Sequence, residues 1–530
     1  MARATDSTYE RRLSSLVNAR EPGVLQNGLK GVERESLRVL PDGKIAHTPH
    51  PISLGSALCS EHITTDFSES LIELVTPPFS RSWELLQYLT DLHQFVYRHL
   101  GDELLWATSM PCRLSGDADV PTAFYGPSNV GRMKSIYREG LRNRYGALMQ
   151  AISGVHFNYS FPAQFWDVYS TLRESRDSRP DFQSTSYFDL LRNYRRHGWI
   201  VLYLFGVSPA VGSSFLEGDN RGLMPLDAET LFGPHATSLR MSDVGYRNRN
   251  QAAISVSVNS LKDYLRDLRH AIQTPHPPYQ QMEAQAGNRW MQLNTNLLQI
   301  ENEYYSYIRP KRVAKSGESP SAALRRGGVE YVEMRALDCS AFDPVGVNQI
   351  KLRFLEAFAA FCLLRDSPSI DATEQDALDD NHLQVARRGR EPGLMLHRAG
   401  RPTPLTEWAT EILDGMEGIC ELLDHGDAAR PYAMALRGQR DKVIDVERTP
   451  SARMLRELRT TGETFYEMAL RVSRLHKDYF LELNAPNDGR MAEFSEEARE
   501  SLRKQVAIEA AQTGEPIEAY LKRFFATASG

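Results

Sequence analysis

The sequence predicts an α+β protein, and three observations carry that prediction. Up to residue 347, short apolar runs alternate with turn signals, as strands require. In several of those runs polar residues take every second position, which gives a largely antiparallel sheet one polar face. From Asn348 onward the apolar residues recur at helical spacing instead, which marks a mainly helical C-terminal third packed on the sheet.

The elements follow in order. GVERESLRVL (31–40), SLIELVT (70–76) and SGVHFNYSF (153–161) read as strands. Residues 77–99 read as a helix, with Leu85, Leu86, Leu89, Leu92 and Phe95 near one face. A second strand group is expected at 291–301 and 328–337, and a proline-stiffened basic turn at 308–312. Phe354, Leu355, Phe358, Phe361 and Cys362 mark one C-terminal helix. Phe465, Met468, Val472, Leu475, Tyr479 and Leu483 mark another, and a last one starts with Ser495 as N-cap. Residues 175–184 and 367–381 read as surface loops. The expected division is a catalytic α/β part at 1–347 and a helical part at 348–530, working as one unit.

Composition excludes several functions. The chain has 530 residues, 41% hydrophobic and 25% charged, enough for a large core. Its net charge of −6 gives no basic excess, so no nucleic-acid partner is expected. The uncharged stretch 198–216 is broken by Gly206, Pro209 and Gly212, so it reads as a core element and no membrane span is expected. The five cysteines form no CxxC pair, which argues against a zinc knuckle. Their scatter, and an N-terminus without an apolar signal core, point to the cytoplasm.

The acids carry the chemistry. Glu33 and Glu35 lie two apart and share a strand face, where like charges repel unless cations intervene. Glu73 interrupts an apolar run, Asp66 precedes it, and Glu333 shares a face with Tyr331 and Arg335. Singly, each acid is what a solvent-facing strand position holds. Together they form a set of hard oxygen ligands suited to Mg²⁺ or Mn²⁺. His156, Asn158 and Ser160 line one face of their strand, with His156 either a ligand or a hydrogen-bonded polar residue. The cations of 308–312 suit polyphosphate. The sequence holds no GxxxxGK[ST] and no GxGxxG, so a nucleotide needs another kind of site.

Long blocks, among them GLKGVERESLRV, ITTDFSESLIELVTP, YREGLRNRYGALMQAISGVHFNYSFP, IENEYYSYIRPKR and SGESPSAALRRGGVEYVEMRALD, closely resemble bacterial-type glutamate–cysteine ligase in order and spacing. The resemblance implies a fold related to glutamine synthetase, with a funnel of antiparallel strands lined by carboxylates. It implies ATP-dependent joining of the glutamate γ-carboxylate to the cysteine amino group through γ-glutamyl phosphate, with Mg²⁺ or Mn²⁺ as cofactor. It assigns Glu33, Glu35, Asp66, Glu73, His156 and Glu333 to the metal site. Arg240 and Arg335 go to glutamate and the transferring phosphate, and Tyr137, Tyr246 and Tyr305 to the cysteine pocket. Lys311 and Arg312 go to the nucleotide. The expected partners are ATP, L-glutamate and L-cysteine, with glutathione as a feedback ligand and a monomeric chain. A ligase using another amine, a guanidino-type kinase, and a metal-dependent scaffold without activity are the alternatives.

Overall fold

The computed structural model describes residues 7–18, 23–245, 254–282, 284–286, 289–315, 317–484, 488–512 and 514–529. Its main sheet has strands β1 (Leu29–Val39), β2 (Ile63–Thr65), β3 (Leu71–Val75), β4 (Leu104–Leu105), β5 (Gly154–Ser160), β6 (Ile308–Lys311) and β7 (Tyr331–Asp338). The order is β6-β7-β5-β1-β3-β2, with β4 also on β1, and every pairing is antiparallel. Alternation sorts the side chains. Val32, Ile72, Leu74, Val155, Phe157, Val332 and Met334 are fully buried beneath the helices. Glu33, Glu35, Glu73, His156 and Glu333 occupy the alternate positions and the opposite face.

The helices of the described residues include α1 (Ser82–Tyr97), α2 (Asn129–Tyr145), α3 (Arg179–His197), α4 (Gln349–Leu364), α5 (Ala372–Arg388), α6 (Pro431–Ile444), α7 (Phe465–Glu482) and α8 (Asp488–Ala511). Helix α4 is buried around most of its circumference and packs against α1, α3 and α6, as an apolar helix at the centre of a bundle must. Helix α1 lies on β1 and β3, and α3 lies on β6. A buried ion pair ties the first strand to the helical third: Lys30 Nζ on β1 stands 2.8 Å from Glu356 on α4, and Tyr432 of α6 donates to the same carboxylate at 2.6 Å. Trp199–Phe205 is a fully buried helix of seven residues. Among the described residues no helix is long and apolar enough to cross a membrane.

Several expectations are corrected. Residues 291–300 form no strand in the main sheet, because side chains replace the ladder there. Gln299 Oε1 accepts from Leu293 N at 2.9 Å and Asn294 Oδ1 from Asn296 N at 3.0 Å, while Arg144 binds Gln292 and the Asn294 carbonyl. Ile308–Lys311 is an edge strand, not a turn, a place that tolerates proline. Part of 175–184 is helical, because Ser178 caps α3 and Pro180 sits in its first turn. Most of 367–381 is the start of α5, where Asp371 caps the helix and Leu378, His382 and Val385 form a buried stripe that the acidic composition hides. Ser495 lies inside α8 and donates to Met491 O, so it is no N-cap. On α7 the buried face runs through His476 and Phe480, leaving Leu475 and Tyr479 exposed.

Removing one member of the Lys30–Glu356 pair leaves a charge buried without its partner. Lys30→Met is expected to lower stability by about 3 kcal/mol, and Lys30→Met combined with Glu356→Leu to recover most of it, in urea unfolding followed by fluorescence. Equal losses in the single and double variants would contradict this.

Three buried imidazoles set an acid limit. Burial pushes His93 and His197 well below the usual value of 6.5, and His476 down to about 4. The unfolded chain therefore takes up these protons first, so stability is full above about 6.5 and falls as pH drops toward 4. His476→Gln is expected to flatten the fall of melting temperature over that window. An unchanged slope would show that His476 does not contribute.

Candidate active site

The central strands bring the acids together by register. Glu33 of β1 faces His156 of β5, and Glu35 faces Glu73 of β3. Glu333 of β7 faces Asn158 of β5 on one side and Arg309 of β6 on the other. His156 Nδ1 lies 3.0 Å from Glu33 and 3.6 Å from Glu333, and its Nε2 lies 3.6 Å from Glu35. Asn158 donates to Glu33 at 2.8 Å, and Gly154 N donates to Glu35 at 2.7 Å. One ligand atom from each of Glu33, His156 and Glu333 falls within 4.8 Å of the others.

Charge is unevenly balanced across this face. Burial lifts the Glu73 carboxyl well above the usual carboxylate range, and Glu33, Asp66 and Glu35 lift it further. Burial likewise raises Glu35. Glu333 behaves oppositely. Burial pushes it up, but Arg335, Lys311, His156 and Arg309 together hold it well below the usual range. For Glu33, burial and Glu333 push upward, and the hydrogen bond and charge of His156 with the charge of Lys311 outweigh them. The side of Glu333 is thus more richly supplied with cations than the side of Glu73, where Arg335 is outweighed by burial and the neighbouring acids.

The basic residues come from four places. Arg335 leaves β7 at a bulge, where the register with β5 shifts between Met334 and Leu337, and donates to Glu333 at 2.7 Å. Lys311 of β6 reaches Glu333 at 3.4 Å. Arg240 sits fully buried on the turn Leu239–Met241 and donates to the Arg335 carbonyl at 3.1 Å. Helix α2 supplies the fourth group. Lys134, Tyr137 and Arg138 recur at helical spacing, and Arg138 donates to the carbonyl of Asp66. Burial lowers the Lys134 ammonium to about 8, and Arg138 lowers it further, against the pull of Glu73.

Most of the residues singled out from sequence converge here. Tyr305 lies close to Arg335, whose guanidinium is kept charged against burial chiefly by Glu333. Tyr137 is half-buried, and burial pushes its phenol well above the usual range. Arg312 turns elsewhere, to the carbonyls of Gly327 and Gly328 at the end of a short helix. Tyr246 lies outside the described residues. The sequence reading missed Arg138 and Lys134 as site residues, and took Arg309 only as one cation of the basic segment 308–312. The spacing of Lys134, Tyr137 and Arg138, three and four residues apart as on one face of a helix, is the signal that would have found the first two.

The donor set fits a hard divalent cation. Carboxylates dominate, with one imidazole. Asn158 Oδ1 is a buried oxygen that accepts no hydrogen bond among the described residues, and such an atom is costly without a partner; Glu333 Oε2 faces Lys311 Nζ at 3.4 Å without a hydrogen bond.

Known proteins carry the same arrangement of elements. The glutamate-cysteine ligase family profile matches residues 13–385. The chain is 47% identical over 505 residues to a glutamate–cysteine ligase of Pseudomonas putida, covering 95% of this chain and 96% of that one. It is 44% identical over 521 residues to one of Alcanivorax borkumensis, covering 97% and 99%. The crystal structure of glutamate–cysteine ligase from Francisella tularensis in complex with AMP superposes with a TM-score of 0.89 at 34% identity, over 95% of this chain and 99% of that one. A bifunctional glutathione synthetase from Pasteurella multocida shares the fold at a TM-score of 0.70 and 24% identity, over 89% of this chain and 54% of that one. With nearly the whole chain covered at such identity, and the acid face built on the strands that the profile spans, this chain belongs to the glutamate–cysteine ligase family.

Proposed function

We propose that the chain joins the γ-carboxylate of L-glutamate to the amino group of L-cysteine at the expense of ATP, giving γ-glutamylcysteine, ADP and phosphate. This is the first step of glutathione biosynthesis. The observation that carries the reading is the grouping of Glu33, His156 and Glu333 within 4.8 Å, with Arg335 and Lys311 on the same carboxylate. Phosphoryl transfer needs this pairing of anionic ligands with cationic donors.

Glu33, His156 and Glu333, with Glu35, Asp66 and Glu73 beside them, would hold Mg²⁺ or Mn²⁺. When bound, the ion offsets phosphate charge and orients the triphosphate. Lys311 serves the nucleotide phosphates. Arg240 and Arg335 bind the glutamate carboxylate and the oxygens on which negative charge grows. A γ-carboxylate oxygen attacks the terminal phosphorus, the bond to ADP breaks, and γ-glutamyl phosphate forms. The neutral amine of cysteine then attacks the acyl carbon and phosphate leaves. Tyr137 and Tyr305 shape the cysteine pocket. A monomer in the cytoplasm with glutathione as a feedback ligand completes the proposal.

Purified protein is expected to release ADP only with a divalent cation, glutamate and an amine acceptor. Glu33→Gln, Glu73→Gln and Glu333→Gln are each expected to cut turnover by roughly 10²-fold or more while the circular dichroism spectrum is unchanged. Full activity in excess chelator would sink the metal assignment.

The order of steps is open to test without cysteine. With ATP, Mg²⁺ and glutamate, hydroxylamine is expected to trap a γ-hydroxamate. Arg335→Ala is expected to suppress this half-reaction by about 2–4 kcal/mol of barrier, as deleting one donor to a developing oxyanion does. Tyr305→Ala is expected to impair cysteine use more than hydroxamate formation. Equal damage to both half-reactions in both variants would remove that division of roles.

A further inference from the structure

Asp338 ends β7 and is buried, yet its carboxylate faces neutral donors. Val207 N donates to Oδ2 at 2.8 Å, Ser208 Oγ to Oδ2 at 2.7 Å and Ser238 Oγ to Oδ1 at 2.8 Å. The three donors come from two chain segments that meet at the bridge Ser208–Ser238, immediately before the turn Leu239–Met241 that carries Arg240.

An ionised carboxylate accepts hydrogen bonds and donates none. Both serine hydroxyls must therefore point their protons at Asp338, which turns their lone pairs outward. Those lone pairs meet backbone amides of the turn: Ser238 Oγ accepts from Met241 N at 3.3 Å, and Ser208 Oγ from Arg240 N at 3.4 Å. Ser208 O accepts from Leu239 N at 2.7 Å and completes the clamp. An amide in place of the carboxylate could donate to one serine and reverse its hydroxyl, which would release one of these amides.

The same rung of the sheet fixes the other end of Arg240. Asp338 pairs with Gly154 across β7 and β5. The Arg240 guanidinium lies against Gly154 so closely that a Cβ there would stand 2.0 Å from Nη2. Gly154 N is held by Glu35 at 2.7 Å, and Arg240 Nη1 donates to Arg335 O at 3.1 Å. One rung thus supports the turn with its aspartate and admits the guanidinium with its glycine.

We infer that Asp338 is a positioning residue that sets Arg240 in place through Ser208 and Ser238, and so governs glutamate binding and acyl-phosphate formation. The inference rests on the reading of Arg240 as a glutamate and phosphoryl contact. Asp338 acts through Arg240 and is not itself assigned to substrate.

The test is steady-state kinetics and glutamate-only hydroxamate formation for Asp338→Asn, Arg240→Lys and the double variant. Asp338→Asn is expected to raise the glutamate KM about tenfold and to slow hydroxamate formation, with the cysteine KM within about twofold of wild type. In the Arg240→Lys background the same substitution is expected to change either quantity by less than about twofold, because the residue through which it acts is already altered. Multiplicative losses in the double variant, or equal increases in all three substrate KM values, would overturn the inference. Should Asp338→Asn fail to fold, Ser238→Ala is expected to give the same glutamate-selective loss and Ser238→Thr to restore it. Loss without rescue by threonine would overturn the inference equally. An Arg240→Lys variant with wild-type glutamate KM would overturn the reading of Arg240 and this inference with it. A wild-type glutamate KM in Asp338→Asn, beside a raised one in Arg240→Lys, would overturn this inference alone.

Discussion

Carboxylates crowded on one sheet face shape the active-site half of this molecule. Glu33, Glu35 and Glu73 occupy neighbouring strand positions, and Glu333 enters from across β5. In water four such acids would drift apart. Here the ladder of β1, β3, β5 and β7 keeps them in register, so relief must come from opposite charge or from protonation. The protein supplies opposite charge unequally, with Arg335, Lys311, His156 and Arg309 around Glu333, while at Glu73 burial and acidic neighbours outweigh Arg335. A bound cation would restore the balance on the deficient side, which makes ion binding and the ionisation of these acids two views of one equilibrium.

The rest of the fold resists that repulsion. Beneath the acids the same strands present Val32, Ile72, Leu74, Val155, Phe157 and Val332 to the helices, so separating the strands would expose a large apolar surface. Buried polar links extend the hold to distant parts of the chain. Lys30 reaches Glu356 on α4, Gly154 N reaches Glu35, and Asp338 reaches the turn of Arg240. Residues far apart in sequence therefore share the cost of keeping one site in its charged geometry.

The legible part of this structure was the part where periodicity and burial agree. β1, β3, β5 and β7 carry enough polar–apolar alternation around Glu33, Glu73, His156 and Glu333 that the strands, to within a few residues, and the common face of Glu33 and Glu35 could be read directly. Helix α4 announced itself by its apolar spacing. Residues 291–301 misled because asparagine and glutamine side chains satisfy the backbone locally, which residue type alone does not disclose. Helix α5 misled because Asp371 and the acids after it look like a loop, while Leu378, His382 and Val385 carry the real period. Arg138 and Lys134 escaped because the seating of α2 against the sheet is a tertiary fact. Arg312 resembled its neighbour Lys311, but alternation sends it to the end of another helix.

The proline in β6 has a consequence beyond local conformation. The carbonyls of Tyr307 and Lys311 accept from Arg335 N and Glu330 N of the β7 segment, so these alternate residues turn their polar groups inward. Pro310 lies out of phase with them, and its nitrogen faces away from β7 without a hydrogen to offer. The strand is also only four residues long. An incoming strand from another copy would find a gap in the row of donors at the middle of its template. The outer margin of the sheet is thus a poor seed for edge-to-edge polymerisation.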